Sequence, residues 1–100
     1  ALENAARYRT DYAVVSAGGL SAAAFLTDFN REASSMRHLM LSQAQHPIIL
    51  ADCEKFGVIG HVVFEAPPKA TRIITDTAPD DAIQRVIADR GCQLIIVSET

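Results

Sequence analysis

Residues 47–57 read Pro47-Ile48-Ile49-Leu50-Ala51-Asp52-Cys53-Glu54-Lys55-Phe56-Gly57. The first five residues form an apolar run of strand length, and an acid, a lysine and a glycine follow it. Ligands of open α/β sheets bind outside the carboxyl ends of the strands. The stretch therefore predicts a buried strand, Ile48–Ala51, that brings Asp52 and Lys55 to a ligand site. Asp accepts hydrogen bonds from hydroxyl groups, and Lys is a point charge suited to phosphate or carboxylate. Gly57 permits the tight backbone that such a loop needs.

Other short apolar runs have the character of this strand. The sequence predicts strands at Tyr12–Ser16, Arg72–Thr75 and Leu94–Val97, with a shorter candidate at Val62–Phe64. Strands that are apolar on both faces and separated by helices are typical of a parallel sheet that is covered on both sides. We therefore expect an α/β fold with a mostly parallel sheet flanked by helices.

A long helix is predicted between the strands Tyr12–Ser16 and Ile48–Ala51. It covers Asn30–Gln45, with Asp28 and Asn30 as candidate N-caps. Pro47 is expected to end this segment and to begin the next strand. The predicted buried face repeats at three- and four-residue spacings, and it consists of Ala33, Met36, Leu39, Met40 and Ala44.

A second helix is predicted over Pro79–Arg90. Thr77 is its expected N-cap, Pro79 lies in its first turn, and Gly91 ends it as the C′ residue. Its predicted buried stripe consists of Ala82, Ile83, Val86 and Ile87. Leu2–Tyr8 is interpreted as the last turns of an earlier helix, and Ala17-Gly18-Gly19 as a tight turn.

Composition limits the classes of function. The chain has 100 residues and a formal net charge of -3, so it is one domain or part of one. A negative segment lacks the basic face that grips nucleic acid, and we expect no DNA binding by this segment itself. No apolar run is long enough to span a bilayer and no signal-peptide pattern opens the sequence, which argues against a membrane partner.

The cysteines indicate a reducing compartment. Cys53 and Cys92 lie far apart and share no metal-ligand spacing with the histidines. We expect reduced thiols in a cytoplasmic protein, with no bound metal and no cofactor.

The order of elements also bears on domain organisation. The sequence begins within a predicted helix, and no strand precedes that helix. A sheet of about four strands with few helices would leave apolar surface open. We interpret residues 1–100 as the C-terminal portion of a larger domain.

Four pieces of sequence, in order, form a recognisable pattern. They are Ser16-Ala17-x-Gly19 after a strand, Asp28-Phe29-x-x-Glu32 leading a helix, Leu50-Ala51-Asp52-x-x-Lys55-Phe56-Gly57, and Ile73-Ile74-Thr75-Asp76. The pattern, which runs from about Ala5 to Val97, resembles the C-terminal half of the sensor domain of DeoR-family transcriptional repressors. Its most specific part is the Asp-x-x-Lys-Phe-Gly block followed by Ile-Thr-Asp.

The resemblance implies a function that composition does not show. It implies a fold similar to ribose-5-phosphate isomerase and CoA-transferases, and a phosphorylated sugar or polyol as the effector. It also implies a cytoplasmic homo-oligomer that binds operator DNA through an N-terminal winged helix-turn-helix absent from this sequence. The Asp-x-x-Lys pair on which the family's inducer response depends carries over to Asp52 and Lys55. Glu32 matches the acid at the start of the family's sensor helix.

Three further residues are candidates for effector binding. Gly18 and Gly19 follow the first strand, where backbone N–H groups can contact a ligand, and Arg37 is a possible phosphate contact. Each candidate also has a structural alternative: Glu32 complements a helix dipole, Arg37 is a solvated helix residue, and the glycines form a turn. The family commonly has Lys-Arg where this chain has Met36-Arg37, so one potential anion contact is missing.

Two other classes of protein remain open. One is an enzyme of the same fold, an aldose–ketose phosphate isomerase or transferase, in which Asp52 or Glu32 would be the base. The sequence shows no partner residues that would make either acid part of an evident catalytic set. We therefore assign no catalytic residue and favour a binding module. The other class, a flavodoxin-like or receiver-like domain, would need an acidic cluster after the first strand, where Gly18-Gly19 stands.

Overall fold

Two sheets and two helices make up residues 10–64, 67–68 and 70–97, which are the residues that the computed structural model describes. The strands are β1 (Thr10–Ser16), β2 (Gly19–Ser21), β3 (Phe25–Asp28), β4 (Ala44–Leu50), β5 (Val62–Val63), β6 (Arg72–Thr75) and β7 (Gln93–Ile96). The helices are α1 (Arg31–Ser42) and α2 (Asp81–Asp89), with a short 3₁₀ helix at Cys53–Lys55. The helix expected at Leu2–Tyr8 lies outside the described residues.

The larger sheet is parallel throughout. Its strand order is β1-β4-β6-β7, and each neighbouring pair is parallel. The predicted α/β fold with a mostly parallel sheet and flanking helices is confirmed. β6 has the predicted bounds, whereas β7 begins and ends one residue earlier than predicted.

A smaller antiparallel sheet was not predicted. It has the order β2-β3-β5, and its first two strands form a hairpin in which Gly19 pairs with Thr27. The sequence analysis placed Gly19 in a turn and considered it a candidate effector contact, but did not place it in a strand. The hairpin escaped prediction because its strands have three and four residues, too few for a pattern of alternation. Phe25 also has a φ of 58°, which a bulky residue rarely adopts.

The structure confirms one of the two N-caps predicted for α1. The Asn30 side chain accepts a hydrogen bond from the Ala33 N–H at 3.0 Å, so Asn30 is the N-cap. Asp28 is not a cap, because it is the last residue of β3 and its carboxylate pairs with Arg37. The helix ends at Ser42 rather than Gln45 because β4 has begun by Ala44.

Pro47 does not begin β4, as the sequence analysis predicted, but lies inside it. The strand starts three residues earlier, at Ala44. On one side Pro47 pairs with Ala13 of β1. On the other side, pairing with β6 begins only at Ile48 and Arg72. Proline is tolerated here because this part of β4 has a neighbour on one side only, like an edge strand.

α2 begins and ends with capping groups. Asp80 is its N-cap, since its side chain accepts from the Ile83 N–H at 2.9 Å; the predicted Thr77 cap is wrong. At the other end, Gly91 has a φ of 75°, and the Cys92 N–H bonds the Ile87 carbonyl at 3.1 Å. These contacts form a Schellman motif and confirm Gly91 as the C′ residue. Ala82, predicted to lie on the buried stripe, is exposed.

The helices cover one face of the parallel sheet. α1 packs against β1 and β4, and α2 packs against β7. The buried core on this side includes Val15, Ile49 and Ile73. The other face carries exposed Tyr12, Val14 and Leu50, so the expectation that both faces are covered is wrong for the described residues. The reason is topological. Right-handed crossovers that connect parallel strands added in one direction along a sheet all pass over the same face.

Candidate functional site

A cavity of about 650 Å³, called the large cavity below, lies beyond the carboxyl ends of the parallel strands. This is the edge at which open α/β sheets bind ligands. The residues around it come from the ends of all four strands and from the loop after β4. They are Ser16, Ala17, Leu50, Ala51, Asp52, Lys55, Ile74, Thr75, Asp76 and Val97.

Backbone hydrogen bonds hold the loop after β4 in place. Asp52 Oδ1 accepts from the Glu54 N–H at 3.0 Å and so caps the 3₁₀ helix. Asp76 Oδ1 accepts from the Cys53 N–H at 2.9 Å, which joins this loop to the end of β6. The Gly57 N–H donates to the Leu20 carbonyl at 2.8 Å. These bonds fix the backbone on both sides of Lys55.

Gly57 ends this loop in a conformation that favours glycine. Its φ is 79°, and a Cβ there would meet no atom within 4 Å. The requirement is therefore conformational rather than steric, as the sequence analysis predicted for the turn that closes the loop.

A second cavity, of about 280 Å³ and called the small cavity below, lies between the end of β1 and the start of α1. Ser16, Ala17 and Lys55 line both cavities, so Lys55 stands at their junction. The residues around the small cavity are Ser16, Ala17, Gly18, Asp28, Phe29, Asn30, Ala33, Arg37 and Lys55.

An ion pair borders the small cavity. Arg37 Nη1 donates to Asp28 Oδ1, and the side chains of Arg37 and Asp28 are 30% and 2% exposed. It is the only salt bridge in the part of the chain that the structure describes. Within that part, Lys55 has no acidic partner within salt-bridge distance, although Asp52 lies three residues before it.

The structure brings together most of the predicted site residues. Asp52 and Lys55 line the large cavity, and Lys55, Gly18 and Arg37 line the small one. Glu32 lines neither cavity and is exposed in the first turn of α1.

Gly19 also lines neither cavity. It is buried, and a Cβ there would lie 2.1 Å from the Val58 carbonyl oxygen. The glycine is thus needed for a close approach of two backbone segments, which is a structural role.

Sequence reasoning missed one residue of this region. Asp28 was considered as a helix cap and as part of the family pattern but not as a site residue, yet its side chain is buried at the small cavity. The hairpin that positions Asp28 was itself not predicted. The sequence offers two signals: an acid at the end of an apolar segment, which is also typical of a cap, and the place of Asp28 in the family pattern.

Two further features bear on what the site can hold. Among the described residues, no three His, Cys, Asp or Glu side chains gather as a metal ion would require. Within the same residues, no helix combines the length and the apolar character needed to cross a membrane.

An open parallel sheet with a cavity beyond its carboxyl ends is the architecture of many small-molecule-binding α/β domains. The family model described as the DeoR C terminal sensor domain matches residues 1–77, and the chain belongs to this family. No curated protein matches the chain. Sensor domains of this family bind small-molecule effectors, and another domain binds DNA. Membership gives the chain an effector-sensing role in a DeoR-type regulator.

Proposed function

We propose that this chain is the C-terminal portion of the effector-binding domain of a DeoR-type transcriptional repressor. In this proposal it binds a phosphorylated sugar or polyol, and the bound effector modulates operator binding. DNA is bound by an N-terminal domain outside this sequence, and the whole regulator is a cytoplasmic homo-oligomer. The chain binds its effector and does not turn it over.

The observation that carries the proposal is the position of Asp52 and Lys55. Both line the large cavity at the carboxyl ends of β1, β4, β6 and β7. An acid that accepts from hydroxyl groups beside a cation that attracts an oxyanion is the combination that a sugar phosphate needs. The volume of about 650 Å³ falls within the usual range of roughly 300–1,000 Å³ for small-molecule sites.

The bare face of the parallel sheet supports the proposed domain organisation. Tyr12 and Leu50 on that face are 60% and 42% exposed. β1 pairs with β4 and has no second neighbour among the described strands. Further strands added one after another away from β1 would advance in the opposite direction, and their right-handed crossovers would cover this face. We propose that another part of the same sensor domain supplies those strands.

The charge of the chain supports the division between sensing and DNA binding. Its formal net charge is -3, and counterion release from DNA requires clustered cations. The effector-binding domain is therefore proposed to act on DNA affinity through the rest of the regulator rather than through contacts of its own.

Lys55→Met in the full-length regulator tests the proposal. Parent and variant are titrated with a panel of sugar and polyol phosphates, and binding and operator release are both followed. Loss of one charge-assisted contact should weaken binding roughly ten- to a hundredfold. For the parent, a ligand at about 100 times its Kd should add about 2.7 kcal/mol of stability.

The matched control is Arg85→Met, which removes one positive charge from an exposed position on α2. It should bind like the parent, and circular dichroism should show that both variants are folded. An unchanged affinity in Lys55→Met would remove Lys55 from the site. If no phosphorylated sugar or polyol binds the parent, the effector class is wrong. Conversion of a bound sugar phosphate would favour the isomerase or transferase alternative.

A further inference from the structure

We propose that the small cavity binds an oxyanion of the effector, with Arg37 as the donor and Asp28 as the residue that positions Arg37. This inference rests on the proposed function, because it requires an anionic effector. It assigns the anionic end of that effector to the space between the end of β1 and the start of α1.

Asp28 is buried and only half satisfied. Its side chain is 2% exposed, and Oδ1 accepts from Arg37 Nη1. Within the described residues Oδ2 has no hydrogen-bond partner. A buried carboxylate oxygen without a partner is costly, and such groups in native structures call for an explanation. The explanation we infer is that the buried charge holds the guanidinium at the cavity.

Arg37 retains donors for a ligand. A guanidinium carries five N–H donors in a planar fork, and it often binds a carboxylate through two parallel bonds. Here the bond to Asp28 uses one nitrogen, and no other described residue is bonded to the Arg37 side chain. Arg37 also lines the cavity and is 30% exposed. Its remaining donors are therefore available to an oxyanion.

The charges around the small cavity favour an anion. Arg37 and Lys55 are its two cations, and Asp28 is its one acid. The Asp28 charge is already paired with Arg37, so the environment offered to a ligand is cationic. Asn30 and Ala33 place the positive end of the α1 dipole at the same cavity, which adds to the attraction of an anion.

Gly18 provides space for this arrangement. A Cβ at Gly18 would lie 3.1 Å from Asp28 Oδ1 and 2.9 Å from the Thr27 carbonyl oxygen. Any larger residue would press on the carboxylate that holds Arg37. The second glycine of the predicted turn, Gly19, meets Val58 instead, so the two adjacent glycines have different roles.

A double-mutant cycle in the full-length regulator tests the positioning role. The variants are Asp28→Asn, Arg37→Met and their combination, and the probes are glucose 6-phosphate, fructose 1-phosphate, glycerol 3-phosphate and inorganic phosphate. Arg37→Met should weaken binding roughly ten- to a hundredfold. Asp28→Asn should weaken it about tenfold in the parent and less than about twofold in the Arg37→Met background, as coupled neighbours do.

Two further variants serve as a second test of Arg37 and as a control for the loss of a negative charge. Arg37→Lys keeps the charge but loses the fork, so it should bind clearly more weakly than the parent without altering Asp28. Asp80→Asn removes the same charge as Asp28→Asn at the N-cap of α2, where Asn also caps well, and it should bind like the parent. A parent-like affinity in Arg37→Lys would overturn the proposal even if Asp28→Asn fails to fold.

The outcomes separate this inference from the proposed function. An equal loss for Asp28→Asn in both backgrounds would mean that Asp28 does not act through Arg37, and the positioning role would be wrong. If Lys55→Met weakens binding but the Arg37 variants do not, the small cavity is not the oxyanion site and the proposed function stands. Conversely, Arg37-dependent binding of inorganic phosphate without binding of any sugar phosphate would keep the inference and reject the effector class.

Discussion

The two faces of the parallel sheet differ although the same strands form both. The register aligns Val15, Ile49, Ile73 and Leu94 in one row across the sheet. The first three of these side chains are buried, and Leu94 packs against them. The adjacent row consists of Val14, Ile48, Arg72 and Gln93, in which no side chain is buried.

The difference follows from topology rather than from residue type alone. Strand composition is apolar on both faces near β1 and β4, yet every helix of the described residues lies on one side. The order β1-β4-β6-β7 advances in one direction, and right-handed crossovers in one direction share a face. Under the proposed domain organisation, this apolar but bare face is where the rest of the sensor domain would lie.

The largest expected effect is on the covered face. Ile73 is fully buried at the centre of the core. Ile73→Ala in the 100-residue chain should lower the free energy of unfolding by about 2–5 kcal/mol, because it removes buried methylene groups and leaves a cavity. Urea unfolding measures this loss. A cost near that of an exposed site would mean that the core is not centred on β6.

A matched pair of valines compares the two faces directly. Val15 is 8% exposed and Val14 is 53% exposed, in the same strand. Val15→Ala should cost about 2 kcal/mol, whereas Val14→Ala should stay within about 0.5 kcal/mol. Urea unfolding of both variants under identical conditions checks the difference.

The same pair also tests the proposed domain organisation. In the full-length regulator Val14→Ala should become clearly destabilising, because additional strands and helices would bury Val14. If Val14→Ala remains neutral there, the bare face stays exposed and the proposal that the sensor domain covers it is wrong.

The strands of the parallel sheet were the most predictable part of the fold. Arg72–Thr75 agrees with β6 residue for residue, since a continuous apolar run between loop residues has few other solutions. β4 was predicted too short, because Pro47 normally starts a strand and only the absence of a second neighbour permits it inside. The hairpin of β2 and β3 depends on tertiary contacts, and short strands carry no periodicity of their own.

The candidate site was predictable where it follows directly from a strand end. Asp52 and Lys55 follow β4, so their place at the sheet edge could be inferred from the order of elements alone. The pair formed by Asp28 and Arg37 could not be inferred, because it joins the end of an unrecognised strand to the second turn of a helix. Glu32 matches the family pattern but lines neither cavity. A match to the pattern alone therefore did not predict which residues lie at the site.

A smaller effect is expected at the helix that covers β7. Asp80 caps α2 through the Ile83 N–H. Asp80→Ala should lower the free energy of unfolding by about 1 kcal/mol, and Asp80→Asn should cost much less because Asn also accepts the capping bond. Urea unfolding of the two variants separates the cap from the charge. Equal losses would mean that charge, rather than capping, stabilises this end of the helix.

The smallest expected effect concerns the thiols, one exposed near the large cavity and one half-buried against the core. Cys53 is exposed, and Cys92 packs beside the covered face. Burial raises the pKa of the Cys92 thiol above its ordinary value of 9.0, and the nearby positive charge of Arg90 opposes this rise. At pH 8, Cys92 in a Cys53→Ser variant should therefore react with iodoacetamide more slowly than Cys53 in a Cys92→Ser variant.

The raised pKa of Cys92 also predicts how stability depends on pH. In the unfolded chain this thiol loses its proton near its ordinary value of 9.0, before it does so in the folded protein. Its contribution to stability is therefore fully present below pH 9.0 and is lost as the pH rises through the folded pKa. The parent should lose more stability than Cys92→Ala between neutral and alkaline pH in urea unfolding. Equal losses would show that burial does not raise the pKa of Cys92 in the folded protein.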